Sequence, residues 1–128
     1  IICPADKKLK NFFNKLGRVI EVNNESISKG FWGTSSFMAS FYNLYLSTAD
    51  WLKSKGIKKQ KAEDYVRELF LALALDATRK KKLSLKQLVL ESQTPGGTNT
   101  YVLKELKKKK FYNVQQKVLN SVFKKFKI

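Results

Sequence analysis

Two short stretches of small and hydroxylated residues carry the types and spacing that could do chemistry in this chain: Thr94-Pro95-Gly96-Gly97-Thr98-Asn99 and Gly33-Thr34-Ser35-Ser36. Glycine lets the backbone take positive φ and approach a ligand closely, and a helix opening after such a turn leaves its first N–H groups without intrahelical partners. Those groups sit at the positive end of the helix dipole, so the stretch at Thr94 predicts a seat for an anionic group such as a carboxylate. Thr34, Ser35, Thr98 and Asn99 add side-chain donors, and with Ser36 they are also ordinary helix-capping types.

What is missing narrows the chemistry. The chain has no histidine and one cysteine, Cys3, which excludes Ser-His and Cys-His nucleophilic pairs and argues against a zinc or iron–sulfur site. No Gly-x-Gly-x-x-Gly follows a predicted strand and no Walker loop occurs, so no nucleotide site is recognisable. Any reactive group must then come from a cofactor held elsewhere.

The formal charge is +16, from 26 Lys and Arg against 10 Asp and Glu. Nearly all the cations are lysines in short runs such as Lys80-Lys81-Lys82 and Lys107 to Lys110, at predicted helix ends, where they complement carboxyl-terminal dipoles. They are read as solvated surface rather than as a nucleic-acid footprint; a basic polyanion-binding face on a non-catalytic helical module is the alternative.

Helical periodicity dominates the elements that must position these turns. Leu9, Phe12, Phe13 and Leu16 recur on one helix face, with Asp6 as cap and Gly17 as stop, and Arg18 to Val22 reads as a strand. A short helix over Ser26–Phe31 is expected to break at Gly33–Ser36, ahead of a long one running from Phe37 until Gly56. A second long helix spans about Lys59–Arg79, and its run Leu69–Leu75 is apolar all round, which predicts burial on both sides. Ser84-Leu85-Lys86-Gln87 has the form of a capping box, and helices over Asn99–Lys109 and Asn113–Lys127 complete a mainly α chain. With 128 residues, 43% of them hydrophobic, one compact domain with a core of its own is expected. No apolar run approaches the ~20 residues of a membrane helix, and the single cysteine agrees with a cytoplasmic protein. The opening at Ile1, with no leader-like segment, reads as part of a longer protein.

Gln93 to Leu106 resembles the Ser-Pro-Gly-Gly-Thr region of the pyrroline-5-carboxylate reductase family, and Phe12 to Val22 resembles the segment with which that family leaves its nucleotide-binding domain. The resemblance implies a helical dimerisation domain of the 6-phosphogluconate-dehydrogenase-C-terminal-like kind over 23–128. Residues 1–22 would then be a short helix and strand left from a Rossmann domain. It implies a homodimer, NADP or NAD bound by an amino-terminal domain outside this chain, and a small carboxylate substrate. By the same resemblance, Gly33, Thr34, Ser35, Ser36, Thr94, Gly96, Gly97, Thr98 and Asn99 would contact that substrate, although Ser35 and Ser36 replace a Gly-Pro pair and Asn99 a threonine.

Overall fold

A computed structural model describes residues 1–126, and over these the chain is mainly helical. Helix α1 covers Lys7–Phe13, and the Asp6 carboxylate accepts from the Leu9 N–H at 2.8 Å, as the sequence predicts. It stops a turn before Leu16, because the amides of Leu16 and Gly17 both turn back onto the Phe13 carbonyl. The strand expected over Arg18–Val22 reduces to one parallel bridge between Ile2 and Glu21. Ile2 bonds Ile20 and Val22 at 3.0 Å each, and Pro4, which lacks an N–H, cannot extend the ladder. An ion pair between Lys10 and Glu21 ties α1 to this bridge.

Helix α2, Glu25–Ser35, opens on an Asn24 cap and runs through Gly33, Thr34 and Ser35, so that the expected break is confined to Ser36 and Phe37 ahead of the next helix. Gly33 is buried, and a Cβ placed there would lie in ordinary contact with Val122, at 3.9 Å, and Phe126. Trp32 meets the same Phe126 ring edge-on at 6.2 Å. This packing against helix α7, Phe111–Lys125, offsets the helix-propensity cost of glycine, about 1 kcal/mol. The end of α7 predicted at Lys127 lies outside the described residues.

Helices α3, Met38–Ser54, and α4, Lys59–Arg79, meet at a turn where Gly56 takes φ 88°. Their contact is built on small side chains. Ala49, Ala62 and Val66 are 3%, 0% and 1% exposed, with Tyr45 stacked on Phe70 at 4.4 Å beside them. Since nothing at Ala62 can yield, Ala62→Leu should cost about 1–3 kcal/mol by overpacking. Thermal unfolding would show it as a lowered midpoint.

Helix α5, Leu85–Glu91, starts at the predicted capping box, in which Ser84 and Gln87 each bond the other's backbone N–H. Helix α6 is Thr98–Lys108, and Lys110, at φ 58°, turns the chain into α7. By contact density the chain divides into two compact units. One is Ile1–Met38 with the segment beginning at Asn113, and the other is Ala39–Tyr112.

The expectation of a self-sufficient core is corrected. Among the described residues the buried hydrophobics are Ile2, Ala49, Ala62 and Val66, while Leu71 is 50% and Leu73 57% exposed. In the apolar run predicted to be buried on both sides, Phe70 packs against α3 while Leu69, Leu71, Leu73 and Leu75 stay exposed in the single chain. The helix contacts made within one copy cover only part of the apolar surface, so many large hydrophobic side chains stay exposed. No described helix is long and apolar enough to cross a membrane.

Candidate functional site

The turn at Thr94 is built by its own backbone. The Gly97 N–H donates to the Thr94 carbonyl at 2.8 Å, with Pro95 and then Gly96, at φ 73°, between them. That order is the signature of a type II turn, which demands a positive φ at its third residue. Gly97 itself has φ −75°, so its lack of a side chain answers a different need. A Cβ there would stand 3.0 Å from the Thr94 carbonyl oxygen and 3.2 Å from the Thr94 Cβ. The Thr100 hydroxyl donates to the same carbonyl at 2.8 Å, and the Asn99 side-chain amide donates to Ser92 at 3.1 Å. These bonds pin the turn to both flanking helices.

Gly97 is the N-cap of α6 and offers no side chain to its first turn. The first backbone bond into the helix is that of Tyr101 to Gly97, which leaves the N–H groups of Thr98, Asn99 and Thr100 without a partner among the described residues. Three bare N–H groups at the positive end of an 11-residue helix are what a carboxylate needs. The turn is exposed at Thr94, Pro95, Gly96, Thr98 and Asn99. The capacity to donate therefore lies in the backbone and the Thr98 hydroxyl more than in Asn99, one of whose amide hydrogens is already committed.

The residues at Gly33 are placed differently. Thr34 and Ser35 donate their hydroxyl hydrogens to the carbonyls of Phe31 and Trp32, each at 2.7 Å, the back-bonding usual for hydroxyls inside a helix. Gly33 faces α7, and Ser36 is the carboxyl-terminal cap of α2. Thr34 and Ser35 thus lie where carbonyls, not amides, accumulate. Sequence patterning took this stretch for an open turn because it could not register the burial that keeps Gly33 helical.

A further feature is a cleft of about 300 Å³ between α3 and α4, floored by Ala49 and Val66 and walled by Tyr42, Tyr45, Glu63 and Arg67. Arg67 pairs along α4 with Glu63 at 3.3 Å and Asp64 at 3.2 Å. None of the residues predicted to bind substrate lines it.

The family model described as pyrroline-5-carboxylate reductase dimerisation matches residues 28–127. The chain belongs to this family. The match begins within α2, after the bridge at Glu21, and takes in α3 to α7, both glycine-containing stretches and the apolar α4. A search of curated proteins gave no significant match. Membership in a dimerisation family gives the exposed apolar surface of α4 a physical sense: such surface stays bare in one copy when its cover is another chain.

Proposed function

We propose that this chain is the carboxyl-terminal part of an NAD(P)H-dependent reductase of cytoplasmic proline biosynthesis, acting on pyrroline-5-carboxylate or a related cyclic imino acid as a homodimer. The family match over residues 28–127 carries this reading. In it, residues 23–128 are a dimerisation and substrate domain of the 6-phosphogluconate-dehydrogenase-C-terminal-like kind. The parallel bridge between Ile2 and Glu21 is the edge of a Rossmann sheet whose other strands lie outside this chain.

In this reading the substrate carboxylate rests on the amino terminus of α6. The N–H groups of Thr98, Asn99 and Thr100 and the Thr98 hydroxyl donate to it, while Gly96 and Gly97 keep the approach clear of side chains. The residues present do not fit the nicotinamide cofactor: among those described, no glycine-rich turn joins a strand to a helix. No step of hydride transfer is assigned to them. Binding and orienting the substrate is the work proposed for this part of the protein.

The full-length protein should oxidise NADPH or NADH in the presence of pyrroline-5-carboxylate, and residues 1–128 alone should show no NADPH binding by calorimetric titration. Micromolar NADPH affinity in the isolated chain would overturn the domain assignment. Absence of turnover with any cyclic imine would overturn the reductase reading. The charge of +16 would then favour a non-catalytic dimerisation module with a polyanion-binding surface, detected as salt-sensitive nucleic-acid binding.

A further inference from the structure

Helix α4 carries a second pattern besides its apolar run. Asp64, Glu68, Leu71, Leu75 and Arg79 recur every three or four residues, so they form one stripe along the helix. At about 100° per residue this stripe lies roughly 180° around from Ala62, Val66 and Phe70, the face packed against α3. All five residues are exposed, with Leu71 at 50% and Leu75 at 43%. Acids occupy the amino-terminal half of the stripe, leucines its middle and a cation its carboxyl-terminal half.

From this order we infer that the stripe packs antiparallel against the same stripe of a second copy, centred on Leu73. The inference rests on the homodimer reading and adds to it the orientation, register and ionic contacts of α4. In that arrangement Leu71 meets the partner's Leu75, and Glu68 meets the partner's Arg79, each contact occurring twice about a two-fold axis. The leucine pairs place the axis at Leu73 and the ionic pairs place it between Leu73 and Ala74. The two positions differ by half a residue, about 0.75 Å of helix rise, so one register satisfies both. A parallel arrangement opposes Glu68 to the partner's Glu68 and Arg79 to the partner's Arg79, which repel.

Glu68 and Arg79 are also the charges of this stripe left over within the chain. Neither joins an ion pair among the described residues, whereas Asp64 is held by Arg67 and Gln60. They stand eleven residues apart on one helix, roughly 16 Å, too far to reach each other. Only a second chain can bring them together.

Charge reversal in the full-length protein tests this. Glu68→Arg and Arg79→Glu should each weaken dimerisation by on the order of tenfold at moderate ionic strength, since symmetry duplicates the repulsion. The double variant should return to within about threefold of wild type, because its reversed charges face each other again across the axis. Both sites are solvent-exposed on the single chain, and circular dichroism checks that the helices persist. A dimeric wild type whose double variant dissociates as readily as the single variants overturns the antiparallel register and leaves the homodimer standing. A wild type that sediments as a monomer at micromolar concentration overturns both.

Discussion

Leu73→Asp in the full-length protein is expected to turn a dimer into a monomer at micromolar concentration. Leu73 is 57% exposed in the single chain and lies in a segment where Leu69 and Leu73 point to one side of the helix and Leu71 and Leu75 to the opposite side. Such a segment is shielded only when the other chain covers several of its sides. An aspartate there must be desolvated with no cation opposite, at a cost of several kcal/mol per copy, and the two-fold axis doubles it. The dissociation constant should rise by on the order of a thousandfold or more. Sedimentation velocity reads this directly, with Leu16→Asp as a control: Leu16 is 79% exposed and outside the family match, so its variant should remain dimeric. A Leu73→Asp protein that still sediments as a dimer removes Leu73 and its side of α4 from the interface, and leaves the opposite stripe to be tested by the charge reversals.

The second large effect belongs to the turn at Thr94. Gly97→Val forces a side chain against the Thr94 carbonyl oxygen and Cβ, which stand 3.0 and 3.2 Å from where its Cβ must go. The turn has to open, and the bare N–H groups of α6 move with it. Each charge-assisted hydrogen bond lost is worth about 1.5–3 kcal/mol, so KM for the cyclic imino acid should rise about ten- to a hundredfold. Asn99→Ala removes the bond to Ser92 and should raise KM less, by loosening the turn rather than blocking it. Affinity for NADPH should stay at the wild-type value for both variants, since the proposal places that site in the other domain. Wild-type KM in both would leave the turn as a helix connector only.

Much of this protein was legible from local chemistry. The Asp6 cap, the Ser84–Gln87 capping box, the Gly56 turn and the positive φ of Gly96 all follow from residues within a turn of one another, and each formed where its sequence predicts. The spans of α3, α4 and α6 follow equally from periodicity. Resemblance around Gln93–Leu106 pointed to the family that the match over 28–127 shows.

What the sequence could not determine depends on groups distant along the chain. Gly33 stays helical because Val122 and Phe126 pack beside it, nearly ninety residues away, and no local signal carries that contact. The strand expected at Arg18–Val22 shrank to a bridge because a strand exists only through its neighbours, and among the described residues Ile2 is the one neighbour it has. Gly97 looked like a second conformational pivot beside Gly96, yet its φ is ordinary and what it spares is a clash with Thr94. Composition promised an internal core, but area is buried only where surfaces meet. Ala62 and Val66 meet α3, while Leu71 and Leu73 remain exposed in the single copy. Sequence by itself therefore determined where helices start, stop and turn, because those are short-range hydrogen-bond and dihedral preferences. Tertiary structure alone decided which apolar faces are spent within one chain and which stay bare, because that depends on which surfaces the fold brings together.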